Sequence, residues 1–249
     1  MGVRFGESGT WMKTARVVWS ELHGSDVRWL TLSTIEPLGF VGGQFVTIHT
    51  GRENADGKPI RRAYSVLSSD TEQLGFELAS KRIPGGIGSG YVHELEPGDE
   101  VRFTGPWGKF FPAPGARGET LVLATDTGVT AALGMLQGHG FEPLLEGTTF
   151  LWLRESTRYF LPESLVRAKI PERCGKVRFE MLEPVGHRER VPRVRGLVAE
   201  LVRASRFAQA FVSGDGSVNY ALLGDLVAAG IPCTRDQLES FFNLPKRAP

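Results

Sequence analysis

The sequence predicts two domains in series: an antiparallel β domain over residues 1–117 and an α/β domain with a parallel sheet over residues 118–249. Three observations carry this expectation. Up to residue 117, short β-type runs are separated by Gly and Pro turns at the spacing of an antiparallel barrel or sandwich. A Pro- and Gly-rich stretch, Phe111-Pro112-Ala113-Pro114-Gly115-Ala116-Arg117-Gly118, then reads as a linker. Beyond it, apolar strand runs alternate with helical patterns, which is the rhythm of βα units around a parallel sheet.

The first domain offers six strand candidates: Ala15–Trp19, Arg28–Leu32, Gln44–His49, Ala63–Leu67, Gly75–Ala79 and Glu100–Phe103. Each is rich in β-branched or aromatic residues and ends at a turn former. In the second domain, Thr120–Ala124 is an apolar run of buried-strand type, followed by a Gly-containing turn and a helical stretch from Ala131 to Gln137. Further strands are expected at Thr149–Leu153, Lys176–Glu180 and Gln209–Val212. Helices are expected over Leu197–Ala204 and Val218–Ala229.

Composition narrows the function. The 249 residues are 41% hydrophobic and 23% charged, so the chain has the composition of a globular protein rather than a disordered one. Lys and Arg number 29 against 28 Asp and Glu, a net charge of +1. A generally basic surface for nucleic acid is therefore excluded. No apolar run approaches the roughly 18 residues of a membrane span, and the start lacks the apolar core of a signal peptide. A soluble, cytoplasmic protein with reduced thiols is expected. Two cysteines, Cys174 and Cys233, cannot make a four-cysteine iron–sulfur or zinc site, and the five histidines have no metal-ligand spacing. One local bias stands out. Residues 186–206 carry six arginines (188, 190, 193, 195, 203 and 206) against Glu189 and Glu200, which is either a solvated face or an anion site.

Three clusters in the first domain carry chemistry. In Arg61-Arg62-Ala63-Tyr64-Ser65, strand alternation puts Arg62 and Tyr64 on one face. A cation beside an aromatic ring suits a ligand with phosphate at one end and a flat ring at the other. In Pro84-Gly85-Gly86-Ile87-Gly88-Ser89-Gly90-Tyr91, the glycines permit close backbone approach. Ser89 is placed to cap a short helix, whose free N–H groups would face a phosphate. Gly105-Pro106-Trp107-Gly108-Lys109-Phe110-Phe111 is a rigid turn that closes the domain.

In this order and spacing, the three clusters resemble the ferredoxin–NADP reductase family of flavoproteins. That family has an Arg-x-Tyr-Ser/Thr strand, a Gly-x-x-Ser helix start and a Gly-Pro-x-Gly-x-Phe turn. The resemblance implies a Greek-key β-barrel that binds FAD, followed by an α/β domain that binds NADP, or NAD. It implies that Arg62 meets the FAD pyrophosphate with the backbone of Gly86, Ile87, Gly88 and Ser89. Tyr64 would pack on the isoalloxazine beside Ala63, and Ser65 would lie near flavin N5.

The second domain is similar to the family's nicotinamide domain. Leu121 to Thr130 parallels its first strand and Gly-Thr-Gly loop, which implies that Thr127, Gly128 and Thr130 bind the dinucleotide. Asp126 stands where the family has glycine, and Ala131 where proline is common. A carboxylate there repels an incoming pyrophosphate unless it points away or is paired. Phe211-Val212-Ser213-Gly214-Asp215-Gly216 resembles the Cys-Gly segment beside the nicotinamide, with Ser213 in place of cysteine. Gly214 and Asp215 are then cofactor-binding residues. The tail, Glu239-Ser240-Phe241-Phe242, resembles the terminal Glu-x-Phe segment. Either Phe241 or Phe242 is expected over the free flavin face, or both in the core. Ser65, Ser213 and Glu239 are the implied catalytic residues. Arg154 and Arg158 follow the second strand of this domain, where two guanidinium groups favour a 2′-phosphate and hence NADPH.

The function implied is an FAD-dependent oxidoreductase moving electrons between NAD(P)H and a ferredoxin- or flavodoxin-like carrier. The chain has no plant-type Cys-x4-Cys-x2-Cys run and so carries no such cluster of its own. The alternative is a flavin-binding subunit or sensor with a degenerate nicotinamide site, acting through protein contacts.

Overall fold

The structure, a computed structural model, describes residues 11–155 and 160–243. Its first half is a six-stranded antiparallel sheet: β1 (Lys13–His23), β2 (Val27–Ser33), β3 (Phe45–Glu53), β4 (Pro59–Ser65), β5 (Gly75–Lys81) and β6 (Glu100–Trp107). The strand order is β4-β3-β6-β1-β2-β5. The outer strands meet just past the end of β4, where Leu67 N–H donates to the Glu77 carbonyl at 3.0 Å, so the sheet curls on itself as a barrel. Alternation explains its core. Val46 and Ile48 of β3, Leu30 and Leu32 of β2, and Val101 and Phe103 of β6 all point inward and are fully buried. All six strands sit where the sequence puts them, most of them longer by a few residues at one or both ends. Helix α1 (Ile87–Glu94) stands between β5 and β6.

The second half is a five-stranded, all-parallel sheet of order β11-β10-β7-β8-β9. Its strands are β7 (Thr120–Thr125), β8 (Thr148–Glu155), β9 (Lys176–Leu182), β10 (Gln209–Asp215) and β11 (Leu238–Phe242). Its helices are α2 (Val129–Leu136), α3 (Glu163–Lys169), α4 (Arg190–Ala204) and α5 (Gly216–Ala228). β7 is buried along its whole length, as a central parallel strand must be. Three elements go beyond the sequence expectation, α3 among them, which has no predicted counterpart. α4 begins at Arg190, seven residues before the predicted Leu197, so the arginine-rich stretch is helical. The tail is a sheet strand, with Val212 opposite Leu238 and Ser213 opposite Glu239.

Strand order reverses at β7. β8 and β9 lie to one side of it, β10 and β11 to the other. The carboxyl ends of β7 and β10 therefore bound a crevice at a topological switch point, where ligands bind in open α/β sheets.

One hydrophobic cluster spans both halves. Trp29, Leu67 and Phe110 of the barrel pack with Leu133, Leu136, Phe150 and Trp152 of the α/β domain. Glycine makes the contact close. A Cβ on Gly134 of α2 would collide with the Val66 carbonyl, just past β4. Around the seam, Gln137 donates to the Leu67 carbonyl at 2.8 Å. The Asp70 carboxylate accepts from Gly42 N–H at 2.9 Å and His139 N–H at 2.8 Å.

Candidate functional site

The first cluster forms around α1 and the end of β4. Tyr64 and Arg62 lie opposite Val46 and Ile48 of β3, hence on one face, as alternation predicts. Gly88 sits against both. A Cβ there would run into Cγ of Arg62, and the Gly88 carbonyl accepts from Tyr64 Oη at 3.5 Å. Burial pushes the Tyr64 phenol above its ordinary value, so it is a neutral hydrogen-bond donor. Arg62 is exposed, and its Nη1 donates to the Arg61 carbonyl at 2.8 Å. Ala63 faces outward, and Ser65 is buried. The start of α1 has no side-chain cap, which leaves its first N–H groups for another acceptor. This set fits a pyrophosphate with a flat ring beside it: a guanidinium, an uncapped helix start, and a cradle that a Cβ would fill.

Ser89 departs from expectation. It is the third residue of α1 rather than its cap. Its Oγ donates to the Gly86 carbonyl at 3.2 Å and accepts from Ile83 N–H at 3.0 Å, which fixes the entry turn. The cap position belongs to Gly86, which packs against Ile83 and has no room for a side chain; Ile87 follows it, exposed.

The second cluster lies in the switch-point crevice. Gly128 packs on the Ser213–Gly214 backbone at 2.5 Å from where a Cβ would stand. Thr130 Oγ1 donates to the Thr127 carbonyl at 3.0 Å and tightens the turn into α2. Ser213 is fully buried, and its Oγ donates to the Gly128 carbonyl at 2.9 Å. That hydroxyl ties the loop to the strand.

Asp126 and Asp215 share a partner that the sequence reading did not single out. Arg190, the first residue of α4, is 1% exposed. Its Nη2 donates to Oδ2 of Asp126 and its Nε to Oδ2 of Asp215 at 2.9 Å, while Nη1 donates to the Glu183 carbonyl. Asp126 Oδ1 accepts from Glu155 N–H at 3.0 Å, and its carbonyl accepts from Trp152 Nε1 at 3.1 Å. Burial pushes the Asp126 carboxyl above its ordinary range against the opposing pull of Arg190. Its backbone is left-handed, with φ at 48°, which explains the family's glycine; Asp is among the few other residues that tolerate this region. Asp215 caps α5: its Oδ1 accepts from Ser217 N–H at 3.0 Å, Ser217 Oγ at 2.7 Å and Asn243 Nδ2 at 3.0 Å. Asp215 is completely buried, and both of its carboxylate oxygens accept hydrogen bonds within the protein. Nothing in the spacing of Asp126, Arg190 and Asp215 links them, because the crossovers bring them together. The available clue was that an acidic residue in a phosphate loop needs a partner.

Glu239 of β11 pairs with Ser213 across the strands, and burial pushes its carboxyl up to about 7. Phe241 is half-buried against the cluster between the domains. Phe242, opposite Asp215, is also half-buried. Arg154, at the end of β8, pairs with Glu163 at 3.0 Å and stands over Trp152, 5.8 Å from the ring centroid. Glu163 also binds Arg167 at 2.8 Å. Arg158 lies outside the described residues.

One helix joins the clusters. α2 leaves the crevice at Val129 and reaches the end of β4 at Gly134, a rise of roughly 8 Å.

Residues 15–111 match the oxidoreductase FAD-binding domain family. Over 81 residues the chain is 44% identical to ferredoxin–NADP reductase B of Sorangium cellulosum, covering 32% of this chain and 33% of the relative. It is 34% identical over 117 residues to the glycine betaine monooxygenase reductase subunit of Pseudomonas aeruginosa, covering 44% and 30%. The matched stretch thus spans about a third of the length of these curated relatives. Among solved structures, the ferredoxin reductase in carbazole 1,9a-dioxygenase superimposes with a TM-score of 0.72 at 21% identity, over 95% of this chain and 70% of that one. The FAD/NAD-binding domain of nitric oxide dioxygenase from Vibrio cholerae superimposes at 0.71 and 16% identity, over 94% and 99%. These superpositions establish the two-domain fold. The β-barrel thus matches the oxidoreductase FAD-binding domain family over residues 15–111, and the chain has the two-domain fold of the ferredoxin reductase in carbazole 1,9a-dioxygenase.

Proposed function

We propose that the chain is an FAD-dependent oxidoreductase that takes electrons from NAD(P)H and passes them to a separate one-electron carrier of the ferredoxin or flavodoxin kind. The FAD-binding domain is residues 1–117 and the nicotinamide domain residues 118–249. The observation that carries the reading is the convergence of Arg62, Tyr64, Gly88 and the uncapped start of α1 in a domain of the FAD-binding family.

When bound, FAD supplies the change from two-electron to one-electron chemistry. The protein contributes position and charge. Arg62 and the N–H groups from Ile87 to Ser89 hold the pyrophosphate. Tyr64 holds the ring, anchored at its hydroxyl by the Gly88 carbonyl. Ser65, buried at the end of β4, would lie against the flavin ring. The nicotinamide dinucleotide enters over the loop of Thr127 and Gly128, toward the end of β4. Glu239, half-protonated near pH 7, would give or take a proton once both cofactors are bound. Phe241 or Phe242 would cover the free flavin face, the side that the nicotinamide must reach. Arg154, held by Glu163, offers its guanidinium to a 2′-phosphate, which favours NADPH over NADH.

The carrier is suggested by the relatives' names, a ferredoxin–NADP reductase and an oxygenase reductase subunit. No helix among the described residues is long and apolar enough to cross a membrane. We place the protein in the cytoplasm, where its free buried thiols, Cys174 and Cys233, would stay reduced.

Anaerobic mixing of the FAD-loaded protein with NADPH and with NADH tests the reading. Rapid bleaching of the flavin spectrum is expected, faster with NADPH. A protein that binds no FAD overturns it. One that binds FAD but is reduced by neither nucleotide favours the second reading, a flavin-binding subunit with a lapsed nicotinamide site. The acidic Asp126 and Asp215 at the crevice are the observation on that side.

A further inference from the structure

Two helices point their N-termini at the switch-point crevice, and they are treated differently. The start of α5 is filled. Asp215 caps it from within, and a Cβ on Gly216 would stand 2.6–2.7 Å from the Asn243 and Phe242 carbonyls of the tail. The start of α2 continues a 3-10 turn over Asp126–Gly128, where Val129 N–H donates to the Asp126 and Thr127 carbonyls, and it has no side-chain cap, although Asp126 is a residue type that caps helices. The Asp126 carboxylate is turned the other way: one oxygen accepts from Glu155 N–H on β8, the other from Arg190 on α4. Arg190 has no solvent contact of consequence and spends its remaining donors on Asp215 and the Glu183 carbonyl.

From this geometry we infer that Arg190 is the positioning residue of the dinucleotide site. By holding Asp126 toward β8 and α4, it keeps a carboxylate off the start of α2 and leaves that helix end to the pyrophosphate. Neutralising the acid and drawing it aside lets a phosphate loop carry aspartate where glycine would serve. Asp126 by itself then has no influence on the dinucleotide, and it becomes a competitor only when Arg190 is removed. Without its partner, the carboxylate has a cap position in reach and a helix N-terminus that attracts it. This inference rests on the nicotinamide reading of the crevice.

A mutant cycle tests it on FAD-loaded protein, with binding of NADP+ and NAD+ followed by calorimetry and FAD content and melting temperature recorded for each variant. Asp126→Asn retains an acceptor for Glu155 N–H and tolerates the left-handed backbone. It is expected to leave both dissociation constants within about threefold of the unmodified protein, a change of less than the roughly 1.4 kcal/mol that makes a decade. Arg190→Met is expected to weaken binding about tenfold or more. The double variant is expected to return to within about threefold of the unmodified protein, and recovery of binding without a matching recovery of melting temperature is the outcome that a merely structural role for Arg190 would not give. Equal binding by the Arg190→Met variant, or no recovery in the double variant, overturns the inference. If Arg190→Met does not fold, Asp126→Asn alone decides: a shift beyond threefold in either direction overturns it, because the carboxylate then acts on the ligand while Arg190 is in place. Failure of the unmodified protein to bind either nucleotide is distinguishable from these outcomes. It overturns the nicotinamide reading and this inference with it.

Discussion

Arg190 carries the greatest energetic weight of any single side chain at the crevice. It is desolvated between two carboxylates, and charges removed from water are tolerated only when fully paired. Arg190→Met is therefore expected to cost about 3–5 kcal/mol of stability, since it leaves two buried acids unneutralised; urea unfolding measures it, and a loss below about 1 kcal/mol would contradict the pairing. Glu239 gives a second residue-scale prediction. Burial raises its folded carboxyl to about 7 from an ordinary 4.5. Between those values the folded state binds a proton that the unfolded chain has released. Stability is then fully present below about pH 4.5 and is lost as pH rises through about 7, by an order of 3 kcal/mol in total. In melting curves from pH 5 to 8, Glu239→Gln should flatten this decline and raise the melting temperature at pH 8 more than at pH 5. Parallel curves for the two proteins would show that Glu239 is hydrated.

At the scale of elements, close approach of backbone to side chain shapes the proposed flavin site. α1 can lie on β4 only because position 88 has no Cβ, and the atom such a Cβ would strike is in the stem of Arg62. That stem is flexible, so Gly88→Ala should leave the barrel folded while swinging the guanidinium out of register with the start of α1. We expect FAD affinity to fall about tenfold, the loss of one charge-assisted hydrogen bond of roughly 1.5 kcal/mol, with the apoprotein melting temperature nearly unchanged. Retained affinity would separate Arg62 from flavin binding. The tail behaves differently from a loose flap. β11 is the edge strand of the parallel sheet, and Phe241 packs into the cluster between the domains. Phe241→Ala should accordingly destabilise the protein by about 1–3 kcal/mol, less than a fully buried phenylalanine. Phe242→Ala isolates any effect on nicotinamide affinity from that loss.

The two domains share one apolar core, so their relative position is a matter of packing rather than of a hinge. α2 is the shared element, with its start in the switch-point crevice and Gly134 against the carbonyl that follows β4. Gly134→Ala drives a methyl group into backbone that cannot give way. It is expected to cost about 1–3 kcal/mol as an overpacked site, and to slow flavin reduction by NADPH because the crevice shifts away from the end of β4. Unchanged stability would mean that the seam is looser than the structure describes. The sequence by itself determined the two-domain order, the six barrel strands, the β7–α2 loop and the Arg62/Tyr64 face. Each of these depends on residues close in the chain, whose side-chain period or turn chemistry is local. Tertiary structure alone decided that the tail is a strand, that Ser213 donates to the Gly128 carbonyl, and that Asp126 is paired with Arg190. The partners in these cases come from elements far apart in sequence: Asp126 and Arg190 are 64 residues apart, and Ser213 and Gly128 are 85. A carboxylate in a phosphate loop looks the same in a sequence whether it is free or paired. Only the crossover that brings α4 over the end of β7 supplies the guanidinium that settles its direction.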